Sequence, residues 1–294
     1  MRRGGTCNVP LGMRHMKGEK MNRMTVVCCY NDREQFDGFR KQLQEQSEEP
    51  VLIGIDNTES AFSSCAAAFN SVAPSLSTPY VIYSHQDMVL ESPDCIRSLA
   101  DYISQTGKDD IIGVAGSRMG VFSSYTTISH GKADKRPAGK YGVSGLEECE
   151  TVDECLFGGH SEHFQKELFD EKVCPDWHLY AVEQCLRTKL CGGRVWVCEA
   201  KMYHRSDGIH NEKLHRGFRE MSRSYAHKLK YICAPCCRGY TGLLRRNWGY
   251  LKRNKTIKVM PASKPGRALV NRIDRLGRKN RAVHYILYGR ELFK

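Results

Sequence analysis

The chain has 294 residues, 40% of them hydrophobic, with three Trp and fourteen Tyr, enough for one large domain or one medium domain plus an appendage. Its formal net charge is +12, yet residues 201–294 hold 24 Lys and Arg against 5 Asp and Glu, which leaves the first 200 residues net acidic. No apolar stretch approaches the roughly 18 residues of a membrane span. Fourteen cysteines without a regular framework or an export leader argue against a disulfide scaffold and for a reducing cytosol.

Residues 1–23 are polar and basic and read as a disordered leader. Thr25–Tyr30 (TVVCCY) is a β-prone run ending in the turn Asn31-Asp32. Glu34–Gln46 then places Phe36, Phe39 and Leu43 at helical spacing. Val51–Ile55 is a second strand, closed by Asp56-Asn57, and Ala61–Val72 a small-residue helix. A third strand, Tyr80–Ser84, runs into His85-Gln86-Asp87-Met88. Ser92-Pro93 opens the next helix, which reaches about Ser104, and Ile111–Ala115 is a fourth strand.

Ser117–Glu150, rich in Gly, Ser and Lys, reads as a long excursion, the kind of loop that in a small domain is usually functional or disordered. Thr151–Phe157 resumes as a strand, His163–Phe169 as a helix, Trp177–Leu190 as an amphipathic helix and Arg194–Cys198 as a strand. A loop with His204 and Arg205 follows. Beyond it, His210–Cys233 reads as one basic helix, Arg238–Lys258 as mixed, Pro261–Gly266 as a linker and Arg267–Phe293 as a basic amphipathic helix. Cys233-x-x-Cys236-Cys237 has a zinc-like spacing but no second pair nearby.

Strand–helix alternation implies a mostly parallel sheet covered on both faces, with ligands beyond the carboxyl ends of its strands. Asn31-Asp32, Asp56-Asn57 and His85–Asp87 all follow strands and should converge on one crevice. Each also has a plainer reading, since Asn and Asp are ordinary turn residues. His85 and Asp87, two apart, can face one ligand while Gln86 faces away.

The ordered set VVCCYND, VLIGIDN, Asn70, YVIYSHQDM, FDE (Phe169–Glu171), WHLYAVEQCLR and YHRSDG resembles a family 2 glycosyltransferase, and more narrowly the branch named after a streptomycin-biosynthesis protein. The resemblance covers about Thr25 to Gly208. It implies a GT-A fold: a Rossmann-like, mostly parallel sheet flanked by helices, here over residues 24–209, with 210–294 as a basic, mainly helical extension. It also implies a UDP- or GDP-linked nucleotide sugar as donor, a divalent metal (Mn²⁺ or Mg²⁺) as cofactor, and a glycan or lipid-linked acceptor. By this resemblance Tyr30, Asn31, Asp32, Asp56, Asn57, His85, Gln86 and Arg205 meet the nucleotide sugar, and Asp87, His85 and His204 hold the metal. His85 stands where the family's Asp-x-Asp motif has its first acid. Imidazole suits Mn²⁺ or Fe²⁺ better than oxygen-seeking Mg²⁺.

Inverting members carry a Glu-Asp pair ahead of a Leu-Arg motif, and its Asp deprotonates the acceptor. Aligned on Leu186-Arg187, those positions are Tyr180 and Ala181, and Ala181 accepts no proton. His178, placed on the same helix, is the replacement expected, with Asp176 and Glu183 as rivals. The resemblance further suggests surface polysaccharide or glycoconjugate assembly by a cytoplasmic enzyme, held at the inner face of an anionic membrane by its basic region. A nucleotidyltransferase would use a similar sheet but usually shows a Gly-rich loop after the first strand, and Tyr30–Phe36 has no glycine. Nucleic-acid binding through the basic region is disfavoured, because no recognisable nucleic-acid motif accompanies the charge.

Overall fold

The structure is a computed structural model and describes residues 22–121, 123–208, 211–241, 249–253 and 256–260. A seven-stranded sheet forms its centre. From one edge to the other its strands are Val51–Asp56, Met24–Tyr30, Tyr80–Ser84, Leu156–His160, Ile111–Gly113, Val195–Cys198 and Leu146–Glu148. Five of the seven run the same way; Leu156–His160 and Leu146–Glu148 run against them. This is the mostly parallel, helix-flanked α/β sheet expected.

Period-two alternation sends each strand's side chains to two separate cores. Val27, Val81 and Tyr83 point to one, with Phe69, Phe157, Phe169 and Tyr180. Val26, Cys28 and Ile82 point to the other, with Phe36, Phe39, Leu43 and Leu99. The helix Arg33–Gln44 begins at Asp32, whose carboxylate accepts from the Gln35 amide at 3.0 Å. Cys65–Val72 covers the opposite face, its N-cap Ser64 accepting from the Ala67 amide at 3.1 Å. Leu156–His160 runs so close to Tyr80–Ser84 that a Cβ on Gly158 would sit 2.0 Å from the Val81 carbonyl oxygen. Only glycine fits there.

Several elements differ from the sequence reading. The helix expected to begin at Ser92-Pro93 starts at Cys95, because Ser92 and Pro93 are spent in a turn closed by the Cys95 amide on the Ser92 carbonyl. Ile111–Ala115 divides into Ile111–Gly113 and Ala115–Ser117, which join different sheets. The excursion 117–150 is not bare loop. It contributes the short strands Tyr125–Thr126, Ser129–His130, Arg136–Pro137 and Leu146–Glu148.

The helix expected from Trp177 starts only at Tyr180, because Leu179 holds φ 71°, ψ 5° and turns the chain just before it. The single helix expected from His210 to Cys233 is a shorter helix, Glu212–Ser224, followed by the strand Tyr231–Cys233. Ala234-Pro235 turns the chain, and Cys237–Tyr240 pairs back on it. With Gly249–Arg253 and Thr256–Met260 these make a four-stranded antiparallel sheet, so the described part of the extension is one helix and four strands rather than mainly helical.

Leu214, Phe218, Met221, Tyr225, Ile232 and Cys237 lie in the same core as Tyr180 and Phe169, so the hydrophobic core does not stop at residue 209. The expected leader up to residue 21, the linker 261–266 and the terminal helix 267–293 fall outside the described residues. Among the described residues no helix is long and apolar enough to cross a membrane.

Candidate active site

The parallel strands Met24–Tyr30, Val51–Asp56 and Tyr80–Ser84 end along one edge of the sheet. A crevice of about 1270 Å³ opens above that edge. Its floor takes Cys29, Tyr30, Asn31, Asn57, His85 and Asp87 from the strand ends. Its walls come from the excursion (residues between Ser123 and Lys140), from Asp153 to Cys155, from Trp177, His178 and Tyr180, and from His204 and Ser206 to Gly208.

His204 reaches Asp87 through a second, smaller sheet. Met202–His204 pairs antiparallel with Met88–Leu90, His204 opposite Met88, and the Arg205 amide donates to the Asp87 carbonyl at 3.0 Å. As a result His204 Nε2 lies 3.1 Å from Asp87 Oδ1 and 3.4 Å from His85 Nδ1, with His85 Nδ1 3.9 Å from Asp87 Oδ1. Among the described residues this is the one group of three such side chains whose ligand atoms meet at one point. His85 is steered by its other nitrogen, Nε2, which is 3.1 Å from the Tyr180 hydroxyl. Asp87 Oδ1 is shut off from solvent, with His204 Nε2 as its near neighbour and the His85 ring beside it.

The electrostatics fit that crowding. Burial, reinforced by His204, lowers the pKa of His85 to about 4, so its ring is neutral near pH 7. Burial also works against charge on His204, but the Asp87 carboxylate more than offsets it and leaves His204 above its ordinary value. Asp87 is shifted upward by burial and further downward by the two histidines, and ends below the usual carboxylate range. Two imidazole nitrogens and a carboxylate oxygen closed off from solvent form a donor set that fits a divalent cation such as Mn²⁺.

The remaining anticipated residues separate into two groups. Tyr30, Asn31, Asn57 and Gln86 line the crevice. Gln86 also clips two strand ends together. Its Oε1 accepts from the amides of Asn31 and Asp32 at 3.0 and 3.2 Å, and its Nε2 donates to Asn31 Oδ1 at 2.9 Å. Gln86 is thus turned to Asn31 rather than away from the site.

Asp32, Asp56 and Arg205 are not part of the crevice wall. Asp32 is occupied as a helix cap. Asp56 accepts from the hydroxyl and amide of Thr58 at 2.6 and 2.9 Å and from Arg33 at 2.8 Å, and the Thr58 bonds first of all lower its pKa to about 2.

Of the three candidate bases, only His178 reaches the crevice. It precedes the helix instead of riding on it, since the helix begins two residues later. Asp176 is bound by Arg216 at 2.7 Å and Lys213 at 3.8 Å. Glu183, with a side chain 1% exposed, faces the core, accepting from the Tyr225 hydroxyl at 2.6 Å and pairing with Arg187 at 3.4 Å. The FDE motif is a clip: Asn70 Nδ2 donates to the Phe169 carbonyl at 3.0 Å and to Glu171 Oε1 at 2.8 Å.

Sequence reasoning missed His130, Asp153, Glu154 and the Tyr180 hydroxyl, all of which line the crevice. For Asp153 and Glu154 the signal was an acid pair directly before an apolar run. The cysteines of the Cys233–Cys237 segment do not gather into a ligand group, although Cys236 and Cys237 Sγ lie 3.7 Å apart.

The fold and crevice define an α/β protein with a candidate divalent-cation and ligand site at the carboxyl ends of its parallel strands. The chain belongs to the glycosyltransferase-like family, whose model matches residues 25–223. No curated protein matches it. Among solved structures it is similar to GalNAc-T7 with UDP, GalNAc and Mn²⁺, at 10% identity over 70% of this chain and 48% of that one, TM-score 0.44. It is also similar to the mannosyltransferase PcManGT from Pyrobaculum calidifontis in complex with GDP-Man and Mn²⁺, at 11% identity over 70% and 62%, TM-score 0.44. A third is S. aureus TarS 1-349 in complex with UDP-GlcNAc, at 11% identity over 68% and 65%, TM-score 0.45. The chain thus spans about half to two-thirds of the length of these structures.

Proposed function

We propose that this protein is a metal-assisted glycosyltransferase that moves a sugar from a UDP- or GDP-linked donor to a hydroxyl acceptor. The observation that carries the reading is the meeting of His85, Asp87 and His204 in a crevice at the ends of the parallel strands, within the span that matches the family. Ligands of open α/β sheets bind at that edge.

His85 Nδ1, Asp87 Oδ1 and His204 Nε2 would hold the cation, and Mn²⁺ suits two nitrogens and an oxygen better than Mg²⁺ does. When bound, the cation supplies positive charge next to the donor's diphosphate. Tyr30, Asn31 and Asn57, which line the crevice, would meet the nucleoside, and the Gln86 clip holds the end of the first strand in place.

The narrower reading is a streptomycin-biosynthesis-protein-like enzyme of surface polysaccharide or glycoconjugate assembly, acting on a glycan or lipid-linked acceptor. What supports it is the motif order and the concentration of positive charge after residue 200, which suits the anionic inner face of a membrane.

Thermal-shift measurements with UDP, GDP and their sugars, with and without Mn²⁺, test the central reading. Ligand binding to the native state raises the melting temperature by mass action. A Mn²⁺-dependent rise confined to one base is the expected result. No rise with any nucleotide in the presence of Mn²⁺ would overturn it.

A further inference from the structure

The position where the family resemblance calls for a catalytic acid holds Ala181, and two of the three expected substitutes point out of the crevice. A carboxylate nevertheless enters it from another direction. Leu156–His160 runs antiparallel to Tyr80–Ser84 with Leu156 opposite Ser84, so the residues before Leu156 emerge beside the strand end that carries His85. The contact is direct: the His85 amide donates to the Cys155 carbonyl at 2.9 Å. Asp153 and Glu154 line the crevice there. Asp153 is tied into a turn by the Cys155 amide, which donates to its Oδ1 at 3.0 Å.

Glu154 is different, because its Oε1 is closed off from solvent and has no hydrogen-bond partner. The backbone amides of Leu179 and Tyr180, at the start of the helix that should have carried the base, donate hydrogen bonds to this carboxylate. Leu179 holds its left-handed φ of 71° at that point. A buried acid with an unmet oxygen is destabilising. So is left-handed backbone at a leucine.

We propose that Glu154 is the general base of the transfer, taking the proton of the acceptor hydroxyl as its oxygen attacks the anomeric carbon. The inference rests on the glycosyltransferase reading above. The acceptor O–H bond breaks and its proton passes to the Glu154 carboxylate. The acceptor oxygen bonds to the anomeric carbon, and the bond from that carbon to the donor diphosphate breaks, its electron pair leaving on the nucleoside diphosphate. The single displacement inverts the anomeric configuration. Burial first, then the neighbouring Cys236 and Asp153, raise the pKa of Glu154, which strengthens it as a base. Cys65, Cys174 and Tyr180 also face it.

The test compares wild type, Glu154→Gln and Glu154→Asp for Mn²⁺-dependent thermal shift with UDP and GDP, and for release of nucleoside diphosphate from a panel of UDP- and GDP-sugars with water as acceptor. Glu154→Gln should keep the wild-type shift and lose about 10²- to 10⁴-fold in turnover, the range for one general base. Azide attacks without giving up a proton, so it should restore product formation in this variant, with inverted configuration.

Turnover within threefold of wild type, or a loss that azide does not rescue while the shift is intact, would overturn the assignment. If Glu154→Gln does not fold, Glu154→Asp decides. A fall in kcat at unchanged KM for the donor supports the base, and an unchanged kcat refutes it. Failure of the wild type to show any shift would instead strike the donor reading on which the assignment depends.

Discussion

Replacing Tyr180 by Phe removes a single oxygen, the one 3.1 Å from His85 Nε2. The ring should stay where it is, because it packs edge-on against Phe69 with centroids 5.6 Å apart and also meets Phe157 and Phe169 at 6.0 and 6.3 Å. What is lost is the bond that orients His85 so that Nδ1 faces Asp87 and His204. Partners of this kind on a metal-ligating histidine are generally worth 10- to 100-fold in metal affinity, about 1.4–2.8 kcal/mol. Leaving His85 Nε2 unpaired costs the fold less than the about 1–3 kcal/mol of a fully buried group, because the His85 side chain is 37% exposed.

Titrating Mn²⁺ alone and following the free-ion signal by electron paramagnetic resonance gives the affinity directly, and a melting curve gives the second effect. A Mn²⁺ affinity within twofold of wild type would show that His85 is not a ligand oriented by Tyr180.

Asp87→Ala should abolish the Mn²⁺-dependent part of the UDP or GDP thermal shift while the protein still unfolds cooperatively, and an undiminished shift would remove Asp87 from the site. Tyr225→Phe deletes the hydroxyl that donates to the buried Glu183 carboxylate at 2.6 Å. It should cost about 1–3 kcal/mol in chemical denaturation and leave Mn²⁺ affinity unchanged; altered Mn²⁺ affinity would place Glu183 in the site after all. Burial lowers the pKa of His163 below that of a free imidazole. Below about pH 6.5 the unfolded chain therefore takes up a proton that the native chain does not, and stability falls as pH drops. Urea unfolding between about pH 7.5 and 5 should show that slope, with His85 adding to it in the same sense. His163→Gln should flatten it, and equal slopes in the two proteins would refute the cause.

Where each side chain ended up followed from how far its role depended on its own strand. The ends at Tyr30, Asp56 and Ser84 were legible because each strand is an apolar run closed by polar residues, and parallel pairing brings such ends to one edge. His85 and Asp87 were legible as polar residues closing an apolar run, but strand alternation did not set their facing: the strand ends at Ser84, and the turn that follows brings His85, Gln86 and Asp87 alike to the crevice. Asp32 and Asp56 were legible only as polar strand ends; whether such a residue faces a ligand or closes a turn depends on the neighbours that claim it, here Gln35, Thr58 and Arg33. For Glu183 and Asp176 the deciding partners, Tyr225, Arg216 and Lys213, lie some 40 residues away on a segment whose packing no local pattern foretold.

The sequence by itself determined the strand–helix alternation, the two-faced core, the strand-end location of the site and the family resemblance. These are properties of short windows, governed by hydrophobic periodicity and turn chemistry. Tertiary structure decided what enters the crevice from the far side. His204 arrives by pairing with Met88–Leu90, and Glu154 by the reversal of Leu156–His160 against its parallel neighbours. An antiparallel strand brings its beginning, not its end, to the active edge. The direction of a strand is set by its partners and not by its own residues, so the acid pair ahead of Leu156 could be placed at the crevice only once the sheet was assembled.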